Sequence, residues 1–249
     1  MLHVIFGDPR PWHPQYFCAL ALVPAFLIQI LSLRVAHDDR TAGYCLCGIA
    51  LFSHLVRLHS DVAVLTNVSF LFAWGVRIAA RGVPAGSSSF VRPSSLDAAV
   101  SKTLWTWILS APTVFAVAFD THELPRGFPV VGASLCLFAV AIDLVEKNQT
   151  RGRYTRNPYV FASLSVCWGL YVIHPSPWSF PFPVLFTTIV MLSNGGFRWQ
   201  EASRRESGND EAYARSTSPL FPLPLGVYER LSVRTKRYVC CDFTFEQEV

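Results

Sequence analysis

Charge is what this chain has least of. Only 15% of its 249 residues are Asp, Glu, Lys or Arg, against roughly 25% in a soluble domain. The shortage argues against an ordinary soluble enzyme. Other absences narrow the reading further. The seven cysteines, Cys18, Cys45, Cys47, Cys136, Cys167, Cys240 and Cys241, are odd in number and irregular in spacing, so no disulfide framework is expected. Five of them lie inside apolar runs, where free cysteine behaves as a small hydrophobe. Cys45-x-Cys47 has no matching His or Cys pair, and no metal site is expected. The net charge of +4 comes without zinc-finger spacing or an aromatic-interleaved basic groove, which excludes a nucleic-acid partner. Residues 1–15 hold Asp8, Pro9, Pro11 and Pro14 but a single Arg, which fits neither a signal peptide nor an Arg-rich presequence. No internal repeat or low-complexity block stands out.

What the chain has instead is long apolar runs separated by short basic connectors. Hydrophobic residues make up 51% of it and the mean hydropathy is +0.33. Seven runs read as helical spans: 16–33, 41–56, 62–80, 103–119, 128–145, 159–173 and 182–197. A crossing needs roughly 20 apolar residues, so the second and sixth must borrow flanking residues. Seven spans would put the amino terminus and every second loop on one side, with only Arg10, Arg57 and Arg126. The rest of the 21 Lys and Arg fall on the other side, eight of them in the carboxyl-terminal tail. Such a bias sets membrane orientation. The expected fold is an all-α, polytopic membrane bundle of about seven transmembrane helices, with its tail on the basic, cytosolic or matrix, side.

Ionisable residues at membrane depth are functional suspects. Asp143 and Arg77 both fall near the basic ends of their spans, where they could pair or snorkel to the interface. His54 and Asn194 are weaker suspects, and Asp120-x-His122-Glu123 reads as a solvated turn. The polar stretch 82–96 reads as a loop. A charged stretch at 201–217 is helix-permissive until Pro219, Pro222 and Pro224 end it.

Four pieces of the sequence, in order, carry a family resemblance. They are Trp74-Gly75-Val76-Arg77 with Arg81; Asp143; Arg153-Tyr154-Thr155-Arg156-Asn157-Pro158; and Glu201 followed by Tyr213-x-Arg215-x-Thr217-Ser218 and Pro222. Together they resemble the steroid 5-alpha-reductase-like membrane reductases, which share a helical fold with isoprenylcysteine carboxyl methyltransferases. The resemblance runs over about 59–224, leaving 1–58 as the first two spans and 225–249 as a polar tail. It implies an NADPH surface on the basic side. Cofactor contacts would come from Arg77, Asp143, Arg153, Arg156, Asn157, Glu201 and Arg215, and Tyr154 would be the candidate catalytic donor. Guanidinium forks suit the phosphates of a dinucleotide.

The match fails where the family's motif would grip the cofactor. R-H-P-N-Y-F-G-E becomes Arg156-Asn157-Pro158-Tyr159-Val160-Phe161-Ala162-Ser163, so the His, Tyr and Glu are gone. The family's Gly is Ala162, and Ala139 and Val145 stand for the Glu and Gln flanking its Asp. Each lost hydrogen-bond partner removes about 1–3 kcal/mol. The expectation is therefore a non-catalytic, reductase-derived scaffold subunit of a membrane assembly, with no cofactor and with lipid and other membrane subunits as partners. The respiratory machinery of the inner mitochondrial membrane is one host that fits. The alternative is an NADPH-dependent reductase of a lipid or sterol C=C bond, which suits the endoplasmic reticulum, and a further one is a methyltransferase using S-adenosylmethionine.

Overall fold

The computed structural model describes residues 40–56, 62–81, 96–118, 127–146, 154–192 and 211–242. Among the described residues every regular element is a helix. In chain order these are α1 (Arg40–Val56), α2 (Val62–Arg81), α3 (Leu96–Ala118), α4 (Gly127–Glu146), α5 (Pro158–Ile173) and α6 (Pro181–Leu192). Three short ones follow: α7 (Glu211–Ser216), α8 (Leu225–Arg230) and α9 (Val233–Tyr238). Among the described residues two helices are long and apolar enough to cross a membrane, Val62–Ala80 and Gly127–Glu146, while the other apolar stretches, including Leu104–Ala118 within α3, are shorter. The run 16–33 lies outside the described residues, as do positions 82–95 of the expected loop, Asp120 to Glu123 and Asn194; Leu96, the last residue of that expected loop, begins α3.

Helix α5 is the centre of the bundle. It carries no charged residue, and nearly every position from Val160 to Ile173 is buried. A helix that is apolar all round needs neighbours on every side, and α2, α3, α4 and α6 supply them. Trp74, Leu71, Leu46, Leu109, Leu170 and Phe186 fill the space between these helices and are fully buried. Polar ties cross the same core. The buried Asn67 of α2 donates its Nδ2 to the Leu170 carbonyl at 2.7 Å and accepts from Thr113 Oγ1 of α3 at 2.5 Å. By contrast, α4 turns an apolar face outward, including Val130, Val131, Leu137 and Phe138.

Two tight hairpins, α1–α2 and α4–α5, are built alike. In the first, Gly43 meets Gly75: a Cβ on Gly43 would lie 2.4 Å from the Ala79 amide nitrogen and 2.5 Å from the Gly75 carbonyl. In the second, a Cβ on Gly132 would lie 2.5 Å from the Ile173 nitrogen and 2.6 Å from the Gly169 carbonyl. Small residues let helix backbones approach this closely. Four residues after the leading glycine a thiol reaches across, Cys47 to the Phe72 carbonyl (3.7 Å) and Cys136 to that of Val166 (3.9 Å). Each acceptor lies three residues before the facing glycine.

The sequences agree as well. Gly-x-x-Leu-Cys-x-x-Ala-x4-Leu-Val begins at Gly43 and again at Gly132, and Trp-Gly recurs at Trp74-Gly75 and Trp168-Gly169. The internal likeness that was not evident along the chain thus emerges once the helices are paired. Asn67 meets Leu170 and Trp74 stacks on Tyr159, so α2 and α5 run antiparallel and the hairpins point in opposite senses.

The glycine crossings make a sharp expectation. Gly132→Ala should lower stability by about 1–3 kcal/mol, because its methyl meets backbone that cannot step aside. At Gly48, where an added Cβ meets nothing within 4 Å, Ala should be neutral or stabilise by up to about 1 kcal/mol through helix propensity. Thermal unfolding of both variants in detergent, followed by far-UV circular dichroism, tests the contrast.

Candidate functional site

Tyr154 to Asn157 lead into α5, and Pro158 keeps the last of them out of the helix. Proline at the first helical position pushes the residue before it out of the helical region, and Asn157 has φ −130° and ψ 66°. A non-helical, largely buried segment must find partners for its own backbone. The last residue of α4 provides two, since Glu146 Oε1 accepts from the Tyr154 amide at 2.6 Å and the Thr155 amide at 3.2 Å. Others come from the chain after α7. Arg156 N donates to the Ser218 carbonyl at 2.8 Å, and Leu223 N donates to the Tyr154 carbonyl at 3.0 Å. Side chains reinforce the pairing: Thr155 Oγ1 donates to the Leu220 carbonyl at 2.9 Å, and Asn157 Nδ2 donates to that of Pro219 at 2.9 Å.

The Arg156 guanidinium points into this junction and is only 3% exposed. Its Nη2 lies 2.8 Å from Oδ2 of Asp242, a carboxylate that is fully buried. The Tyr228 hydroxyl, also buried, donates to the same oxygen. The Lys236 ammonium sits 4.8 Å from the centre of the Tyr228 ring and donates to the Glu229 carbonyl at 3.4 Å. Local sequence shapes the tail for this. Ser232 caps α9 by accepting from the Thr235 amide at 3.2 Å. After α9, Cys241 adopts the left-handed region at φ 58°, and the Asp242 amide closes on the Lys236 carbonyl at 3.0 Å. That turn delivers the carboxylate to Arg156.

Burial pushes the Tyr228 hydroxyl well above the usual tyrosine range, and the Asp242 carboxylate that it faces pushes it further. Burial likewise raises the Cys240 and Cys241 thiols.

A second ion pair joins the ends of α2 and α4. Arg77 Nη2 is 2.7 Å from Asp143 Oδ2, with the carboxylate fully buried and the guanidinium 10% exposed. One turn back on α2, Trp74 stacks on Tyr159 with the ring centres 6.2 Å apart. Of the other sequence candidates, Tyr154 is half-buried and Arg215 is exposed at the end of α7. Arg153 and Glu201 lie outside the described residues. Val160, Ala162 and Ser163, where the chain departs from the motif it resembles, are all buried in α5.

The structure therefore brings Arg156 and Asn157 together with the carboxyl-terminal segment, and Arg77 with Asp143. Three participants were missed from sequence: Glu146, Tyr228 and Asp242. The one available signal was that Asp242 is an acid in a basic tail. No protein family model, curated protein or solved structure matches the chain.

Two outcomes test the junction. Asp242→Asn strands a buried guanidinium and should lower stability by about 3–5 kcal/mol. Adding Arg156→Met should recover part of that loss, which a double-mutant cycle of unfolding midpoints would measure. The raised Tyr228 pKa gives the second. The unfolded chain ionises near pH 10 while the folded one still holds its proton. Stability is therefore complete below about pH 10 and falls as pH rises beyond it. Tyr228→Phe should flatten that alkaline decline relative to wild type in thermal melts across the range.

Proposed function

We propose that this chain is a non-catalytic accessory subunit of a membrane assembly. In this reading it is a polytopic bundle of about seven spans, derived from a steroid 5-alpha-reductase-like enzyme, whose former cofactor rim holds the protein to itself. One observation carries it. The Arg156 guanidinium, the group best suited to an incoming phosphate, is buried and neutralised at 2.8 Å by the chain's own Asp242. The neighbouring residues agree: Asn157 is bonded to the Pro219 carbonyl and Arg77 to Asp143.

Membrane residence is supported by two helices of crossing length and by the outward apolar face of α4. Arg77 and Asp143 lie near the carboxyl-terminal ends of α2 and α4, which alternating spans would place on the same side of the bilayer. The basic connectors put that side in the cytosol or, for an inner mitochondrial membrane, in the matrix. The partners are lipid and other membrane subunits, and no dinucleotide is required.

Affinity purification of the full chain in mild detergent, followed by mass spectrometry of proteins and small molecules, tests both parts. Other membrane subunits should co-purify, without stoichiometric NADPH. A lone chain carrying bound dinucleotide would overturn the reading in favour of a lipid or sterol reductase.

A further inference from the structure

The two short helices α8 and α9 present an outer face unlike the junction beneath them. Tyr228, Lys236 and Asp242 turn inward and are buried. The opposite side exposes Val233, Tyr238 and Val239, the last two at 76% and 58%. Arg230, Arg234 and Arg237 are exposed on the same helices. Within α9, Val233, Arg234, Arg237 and Tyr238 fall at three- and four-residue spacings, which places apolar and cationic side chains on one surface. Glu229 is the only exposed acid among the described residues of α8 and α9. Mixed aromatic, aliphatic and arginine surfaces are what sit at the headgroup level of a bilayer.

Position supplies the independent argument. Glu146 ends α4, one of the two helices of crossing length, and holds the Tyr154 and Thr155 amides. Tyr154 is bonded to Leu223, just before α8, and Arg156 to Asp242, just after α9. The pair α8–α9 is therefore tied at both ends to the point where α4 would leave the membrane.

We propose that the exposed face of α8–α9, formed by Val233, Tyr238 and Val239 with Arg230, Arg234 and Arg237, docks on the headgroup layer of an anionic phospholipid bilayer. The arginines neutralise lipid phosphates while the apolar side chains and the tyrosine ring enter the interface. The buried Arg156–Asp242 pair keeps the pair of helices in the orientation that aims this face at the lipid. The proposal rests on the membrane reading above, and its test separates the two.

The full-length protein is reconstituted into nanodiscs of phosphatidylcholine alone or of phosphatidylcholine with phosphatidylglycerol. Hydrogen exchange is then followed by mass spectrometry. Exchange over 225–242 should slow in the anionic discs by roughly fivefold per arginine, or up to about a hundredfold for three at low salt. The triple variant Arg230→Gln, Arg234→Gln, Arg237→Gln should lose that lipid dependence, and the matching triple Lys variant should keep it. The replaced side chains are exposed, and unchanged exchange in 127–146 would confirm that the variants fold. Equal exchange of wild type in both discs, or a lipid dependence that survives the Gln substitutions, overturns the docking and leaves α4 protected as a span. Release of the protein from membranes by alkaline carbonate overturns the membrane reading and the docking with it.

Discussion

One buried carboxylate organises the end of this protein. Asp242 sits against Arg156, 86 residues earlier in the chain, and takes a second hydrogen bond from Tyr228. A buried ion pair is seldom a net source of stability, because the desolvation of both charges offsets their attraction. Its effect here is on specificity. A guanidinium that is 3% exposed needs an anion in one place, so the chain after α6 has to return to the start of α5. Ser218, Pro219, Leu220 and Leu223 are then drawn alongside Tyr154 to Asn157, and their backbone groups are satisfied in the process. Remove the carboxylate and several hydrogen bonds lose the constraint that aligns them.

That junction is anchored on helices held by a different physical device. The hairpins α1–α2 and α4–α5 approach so closely that their facing glycines leave no room for a methyl group. In lipid, where apolar surface has no water to escape, close backbone packing is a main source of helix association. The same glycine, cysteine and Trp-Gly positions recur in both hairpins, which point in opposite senses. Glu146 then links the second hairpin to the junction through the Tyr154 and Thr155 amides. Packing in the bundle thus sets where Arg156 stands, and Asp242 answers it.

Much of the helical layout was legible in the chain. The apolar runs 41–56, 62–80, 128–145 and 159–173 match α1, α2, α4 and α5 to within a residue, because hydropathy reports directly on which segments leave water. The run at 103–119 underestimated α3, which begins at Leu96, since Asp97, Ser101 and Lys102 dilute the hydropathy of its first two turns. The run 182–197 matches the start of α6, whose described span ends at Leu192. Pairing of Arg77 with Asp143 was also legible, as both charges fall near the same ends of their spans. Asp242, Tyr228 and Glu146 were not. Their importance comes from distant partners, and only Asp242, an acid following a basic stretch, stands out from its neighbours.

The sequence by itself determined an apolar, charge-poor chain whose Lys and Arg fall mostly in the connectors between its apolar runs. These are properties of composition and spacing, and they survive whatever the chain does in three dimensions. Only the tertiary structure decided that Arg156 is already neutralised, that Lys236 turns inward while Arg234 and Arg237 face out, and that two glycine crossings repeat. Each depends on groups far apart in sequence meeting at a few ångströms. At that range burial strengthens the attraction between charges and turns any unmatched one into a penalty.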